Sequence, residues 1–489
     1  MNILAFFILG LLTSLLFPPY FFFPLGFLIF PVLCHTIEKN ITTIKKIHIF
    51  KYSFFYSFGL LISFLFWMQN PFFVYNETKI LFFLFIILII FLSLIFSTIF
   101  LFFINYNNFL NIVFILPLIF IISEYLISIL LYGFPWITSS LIVANNDFFS
   151  ISFKYFGTLI TSYFVIQIFC LPYLFFTKTK PNIQIYIFIM LSILPILFII
   201  LHNFKLDTNK ITNKEITLEL FQLNHDSTIN NNNSKKLDNI IELISNSESE
   251  ILIFAENNYP FLINDLKLEA IQNNIKNKQT VIIGGTRFNK NNYFNTLLNI
   301  NKSKINYFDK KILVPFGEFL PLRNYLKNIE LISGPNDYTE GKIDRLITLQ
   351  NKIRYIPVIC YEIIFYWKLL DKLNYDSNFI INITNDIWFG KFLGPYQHFY
   401  LTKIRAVEFN KPIIRVSNNG ISAIIDKNGR IIKSTQLNQT QILKYKLKIE
   451  NNKNYFQIHK FLKVYFFIIC IFIIIFKLKK INDHRKISI

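Results

Sequence analysis

YIPVICYE, residues 355–362, is a run of β-branched and aromatic residues that ends on a thiol and a carboxylate. Its length and composition predict a buried strand whose last residues leave a sheet. Similar runs recur on both sides: ITLELFQ at 216–222, ILIFAE at 251–256, TVIIGG at 280–285, FIINITN at 379–385, PIIRVSN at 412–418 and ISAIIDK at 421–427. Between them, residues 236–246, 264–277 and 396–410 carry apolar positions at helical spacing. Strands alternating with helices predict an α/β layered domain over residues 205–455. About 250 residues is ample for one core.

Outside that domain the composition changes. Of 489 residues, 53% are hydrophobic and only 16% charged. An ordinary soluble domain is roughly 25% charged, so an all-soluble enzyme is excluded. The 59 Phe and 4 Cys also exclude a disordered or disulfide-stapled chain. Apolar runs fall near 3–17, 20–34, 53–69, 80–104, 109–131, 156–176, 183–202 and 461–476. A span needs about 20 apolar residues. These runs therefore predict a polytopic helical bundle of about eight spans: seven in residues 1–204, and one in 456–489 followed by a basic tail. The first two runs are short, but no basic segment precedes them and no small-residue cleavage site follows, which argues against a cleaved leader.

Lysines set the expected orientation. Lys39, Lys45, Lys46 and Lys51 follow the second run, Lys178 and Lys180 the sixth, and Lys477, Lys479, Lys480, Arg485 and Lys486 the eighth. The intervening loops carry only Lys79 and Lys154. By the positive-inside rule both termini are cytoplasmic and the polar domain lies outside. The net charge of +20 then points to anionic lipid headgroups rather than nucleic acid. An AT-rich coding bias toward Lys, Asn, Ile and Phe fits it equally well. Within the bundle, Glu124 and the turn GFPW at 133–136 stand out. An ionisable group at membrane depth is a functional candidate, and the commoner reading is a hydrogen bond holding the bundle. Trp136 is expected at the interface.

Chemistry in an α/β fold gathers where strands end. Glu256 ends ILIFAE, Cys360 ends YIPVIC, and Lys310 in YFDKKILVPFGE enters a short strand-like segment before Pro315. Together they suit acyl transfer: a thiol that forms a thioester, a carboxylate that takes its proton, and an ammonium for the oxyanion. Singly, each has a bland reading as a core thiol, a cap or a solvated lysine. Cys34, Cys170 and Cys470 lie in apolar runs, leaving Cys360 as the one thiol of the outer domain. His398 reads as a packing or hydrogen-bonding residue rather than a general acid/base, and Arg405 and Glu408 as a helical ion pair. No Cys/His cluster has metal-ligand spacing, so no metal or cofactor is expected.

LVPFGEFLP at 313–321, ICYE at 359–362, NDIWFG at 385–390, RAVEFNKPIIRVSNNGISAIID at 405–426 and GFPW at 133–136 together resemble the apolipoprotein N-acyltransferase family. The resemblance runs along the whole chain and implies an extramembrane nitrilase-like αββα sandwich inserted before the last span. It implies Glu256 as general base, Lys310 as the oxyanion-stabilising lysine and Cys360 as the acylated nucleophile. Glu318, Tyr361 and Glu362 become supporting residues, and Asn385, Asp386, Trp388 and Gly390 a loop walling the pocket. The implied donor is a membrane phospholipid, and the acceptor is the α-amine of a diacylglyceryl-modified apolipoprotein. The implied setting is a monomer in a bacterial inner membrane with a periplasmic catalytic domain. Aromatic and aliphatic residues of the spans and of an amphipathic loop at 324–333 are expected to line the lipid pocket. The run Ala255-Glu256-Asn257-Asn258 departs from the family's usual Pro before the glutamate. A Trp usual after the first strand is not evident near 234–236. Two alternatives stand beside this reading: a membrane-anchored amidase with the same triad, and a transporter or receptor whose outer domain binds ligand.

Overall fold

The structure is a computed structural model that describes residues 3–41, 45–74, 76–104, 112–130, 132–176, 211–225, 233–263, 267–324, 336–349, 352–369 and 376–450. They form two compact units. The first holds the described residues within Met1–Phe64 and Leu88–Leu206, the second those within Leu65–Ile87 and Asp207–Lys453.

The helices of the N-terminal region are α1 (Ile3–Ser14), α2 (Gly26–Ile41), α3 (Lys46–Phe64), α4 (Phe83–Ile104), α5 (Ile112–Ile129) and α6 (Asp147–Cys170). Four segments are long and apolar enough to cross a membrane: Lys46–Phe64, Lys79–Phe103, Ile112–Ile129 and Asp147–Phe175. Helix α1 has 12 residues, about 18 Å at 1.5 Å per residue, against a hydrocarbon core of about 30 Å. The expected spans at 183–202 and 461–476 lie outside the described residues. Two local expectations change. The third helix stops at Phe64, so residues 65–69 of the expected 53–69 span leave it, and Phe66–Phe73 forms a 3-10 turn instead. Trp136 is fully buried and stacked on Phe134 rather than interfacial, because the chain folds back at Gly133, whose φ is +86°. Glu124 accepts hydrogen bonds from the Ser139 backbone and hydroxyl, which ties α5 to the following turn.

The second unit is built from β1 (Ile211–Gln222), α7 (Asn233–Asn246), β2 (Ile251–Phe254), α8 (Lys267–Asn274), β3 (Thr280–Asn289), β4 (Asn292–Asn301), β5 (Ile305–Asp309), β6 (Ile347–Thr348), β7 (Arg354–Ile359), β8 (Phe379–Thr384), α9 (Leu393–Glu408), β9 (Ile413–Ser417), β10 (Ala423–Ile425), β11 (Ile431–Ser434) and β12 (Gln441–Glu450). One sheet has the order β12-β1-β2-β3-β4-β5, the other β11-β10-β9-β8-β7-β6. Buried strands show why the sequence reads as continuous apolar runs. Ile251 and Ile253 of β2 share the inter-sheet core with Ile381 and Val416 of the opposite sheet, while Leu252 and Phe254 share the other core with Leu237 of α7 and Ile271 of α8. Arg415, on the outer face of β9, reaches Thr402 of α9. The result is the expected αββα sandwich, with helices packed on the outer sides of the stacked sheets and β11 at one edge left exposed.

Candidate active site

The stacked sheets bring three strand ends together. Glu256 lies two residues past β2, Lys310 one past β5 and Cys360 one past β7, and their exposures are 5%, 1% and 6%. Lys310 Nζ donates to Glu318 Oε1 at 2.8 Å and lies 3.8 Å from Glu256 Oε1. Cys360 lies within the electrostatic reach of both Glu256 and Lys310. Lys310 follows a strand; the strand-like segment expected after it, towards Pro315, is a loop.

Each member is held by its own local chemistry. The turn after Glu256 places Asn257 at φ +55°, a conformation that asparagine tolerates better than most residues. Asn258 accepts from the Ala255 amide at 2.9 Å and donates to Asn418 at 3.2 Å, so its side chain closes the turn that follows Glu256. Lys310 is pinned by its amide to Asn295 O and by its carbonyl to Gly341 N, both 2.8 Å. Cys360 has φ +49° and starts a 3-10 turn over Cys360–Ile364. A non-glycine residue in that region costs of order 1–3 kcal/mol. The sharp exit lifts the thiol out of the strand direction.

The electrostatics suit a resting thiol with a nearby base. Burial pushes the Cys360 thiol up, and the carboxylate of Glu256 pushes the same way. Burial also raises Glu256, with the Lys310 ammonium and Asn295 opposing. Burial alone would lower Lys310, but Glu318 and Glu256 more than reverse it, so the ammonium stays charged. Two carboxylates share one cation. Asn295 was not singled out in the sequence; its Nδ2 donates to Glu256 Oε1 at 2.8 Å and Glu318 Oε1 at 2.7 Å. Only the pairing of β4 with β3 and β5 reveals it.

The supporting residues separate by what they touch. Glu362 is fully buried and accepts from Arg345 twice at 2.7 Å, and from the amides of Ile359, Lys311 and Ile312. It braces the elbow and faces away from solvent. Tyr361 packs edge-on to Phe365. The Asn385 amide donates to Glu256 Oε2 at 2.8 Å, so Asn385 belongs to the site. Asp386 does not wall a pocket: it is buried between Arg415 (2.6 Å), His398 (2.8 Å) and Thr384 (3.0 Å). Burial would raise its carboxyl, and Arg415 and His398 hold it well below the usual range. Trp388 stands 37% exposed, and Gly390 abuts Asn70 rather than a cavity. His398 is buried against the edge of Phe389, and Arg405 pairs with Glu408.

A cavity of about 350 Å³ adjoins the Glu256 turn, bordered by Asn257, Asn258, Tyr259, Thr286, Asn385 and Asn418. Of the loop expected to line a lipid pocket, only Asn324 is described. Among the described residues no group of three or more His, Cys, Asp or Glu side chains is arranged to hold a metal.

Known proteins share both parts of the chain. Residues 220–455 match the carbon-nitrogen hydrolase family, and residues 9–171 match the apolipoprotein N-acyltransferase N-terminal domain. An apolipoprotein N-acyltransferase of Rickettsia prowazekii is 30% identical over 448 residues, 88% of this chain and 89% of that protein. One from Allorhizobium ampelinum is 36% identical over 202 residues, 39% of this chain and 38% of that protein.

Proposed function

The chain belongs to the apolipoprotein N-acyltransferase family, a membrane-bound branch of the carbon-nitrogen hydrolases, and from this premise we propose how its residues carry out lipoprotein N-acylation. Glu256 takes the Cys360 proton as sulfur attacks an ester carbonyl of a membrane phospholipid. The Lys310 ammonium faces the developing oxyanion. The C–O bond breaks, the lysophospholipid alkoxide leaves with the proton from Glu256, and a thioester remains on Cys360. The α-amine of the acceptor's lipid-modified cysteine then attacks. Glu256 takes its proton and returns it to the departing sulfur, leaving an amide and a free thiol.

The observation that carries this reading is the closed cluster itself: thiol, carboxylate and ammonium are buried together in a chain that also holds four membrane-capable helices. Phe316 and Trp388, exposed on the loops that bear Glu318 and Asn385, suit access by lipid. Drawing an acyl chain into water costs about 0.8 kcal/mol per CH₂, which favours a site at the bilayer surface. The charge asymmetry of the loops favours the periplasmic side for that site. The direct test is intact mass spectrometry of the detergent-purified chain with phospholipid and no amine. A hydroxylamine-sensitive gain of one acyl group supports the scheme; lipid binding with no adduct overturns it.

Two further outcomes are expected. Thioester formation needs ionised Glu256, which burial holds above the ordinary range of about 4.3. The single-turnover rate should therefore rise with pH along a limb centred above that value. A flat profile from about pH 4 to 8 would remove Glu256 as base. Gly284→Ala should slow acylation at least about tenfold, because its Cβ would fall 2.6 Å from Glu256 Cα and 2.9 Å from Asn257 N. Wild-type rates for a folded G284A protein would mean that the turn can move without harm.

A further inference from the structure

Residues Leu65–Ile87, which run from the end of α3 into the first turn of α4, lie in the catalytic unit. Within their 3-10 turn Phe66–Phe73, Trp67 is 5% exposed and donates from Nε1 to Gln397 Oε1 of α9 at 2.9 Å. The same indole meets Phe389 edge-on, with ring centroids 4.9 Å apart. Asn70 donates to the Phe389 carbonyl at 3.2 Å. Both contacts rely on missing side chains. A Cβ on Gly394 would lie 2.9 Å from Trp67, and one on Gly390, whose φ is +76°, 2.1 Å from Asn70.

From there the contacts run inward without a gap. Phe389 packs on His398, His398 bonds Asp386, and Asp386 bonds Arg415 and Thr384. The next residue along the chain, Asn385, donates its amide to Glu256. Trp67 and Asn70 thus grip the far end of the turn whose near end holds the general base. We propose that Trp67 and Asn70 are positioning residues for acyl transfer, fixing the turn over residues 385–394 so that the Asn385 amide stays on Glu256. They touch neither substrate nor reacting atoms. Their effect falls on the chemical step and leaves phospholipid binding alone. Glu256 is also faced by Lys310, Glu318, Cys360 and Asn295, so the Asn385 amide is one of several influences and its loss weakens the base without abolishing it.

The inference rests on the thioester mechanism proposed above, and the test separates the two. Full-length protein in phospholipid nanodiscs without acceptor is followed by intact mass spectrometry. If the wild type forms no thioester, the mechanism fails first. If it does, Trp67→Phe and Asn70→Ala are expected to lower the single-turnover acylation rate about tenfold, about 1.4 kcal/mol, with unchanged half-saturating phospholipid. Gln397→Leu should behave like W67F, and the double variant should be no slower than either single. The acidic limb of the rate profile should move to higher pH, since an amide donor to the carboxylate is loosened. Wild-type rates, a change confined to half-saturation, or strictly additive losses would overturn the proposal. Should N70A misfold, Asn70→Ser keeps a short polar side chain and is read in the same way.

Discussion

Cys360→Ala is expected to abolish the acyl adduct and to lower N-acylation by at least about 10³-fold. No neighbouring group can take over the nucleophile's part. Glu256 is proposed to act as the base, and Lys310 is held charged by two carboxylates, so its amine has no free electron pair. The fold should survive. The substitution removes one sulfur from a small buried side chain, and alanine bears the φ of +49° no worse than cysteine. Cys360→Ser should be nearly as inactive, because a hydroxyl is a far weaker acid than a thiol and the same carboxylate must deprotonate it. Mass spectrometry with phospholipid, beside an amine-acceptor assay, reads both variants. Full turnover by C360A would end the thioester scheme.

The second large effect is structural and belongs to Glu362→Gln. The carboxylate receives both Arg345 nitrogens at 2.7 Å and three backbone amides at 2.8–3.1 Å. Glutamine keeps the shape but turns an NH₂ toward donors, and it leaves Arg345, 3% exposed, charged and unpaired. Breaking a buried pair in this way costs about 3–5 kcal/mol. Urea unfolding should show the loss directly, and acylation should fall with it because the elbow carrying Cys360 loosens. The sign with pH follows from the same geometry. Burial would raise Glu362, but Arg345 overcomes it and lowers the carboxyl. The pair therefore contributes stability above the ordinary carboxylate range and loses it as pH falls through the lowered value. A variant with wild-type unfolding and no activity would move Glu362 from bracing the elbow into the chemistry itself.

Much of the architecture is written locally. Buried strands in a two-sided core must be apolar on both faces, so ILIF at 251–254 and FIINIT at 379–384 announce themselves. Edge and hairpin strands need not be. β4 reads NYFNTLLNIN and β12 reads QILKYKLKIE, with amides and lysines interrupting the apolar pattern. Their pairing depends on partners far away: β12 closes against β1 from more than two hundred residues downstream. Lys310 shows the same limit, since β5 exists only as the partner of β4.

What the sequence determined by itself was the class of molecule, and it nominated the groups proposed to react. Hydrophobic run length is a local property that a bilayer reads directly, and thiol, carboxylate and ammonium each carry their chemistry wherever they sit. Only the tertiary structure decided which polar neighbours serve them. Glu362 and Asp386 look equally available in a string of letters. One is spent on Arg345 and the elbow amides, the other on Arg415 and His398, while Asn295, unremarkable in sequence, donates to two site carboxylates. Trp67 reads as the end of an apolar span, yet its indole hydrogen-bonds Gln397, 330 residues away. A buried donor or acceptor must find a partner, and which partner depends on the packing of elements far apart along the chain.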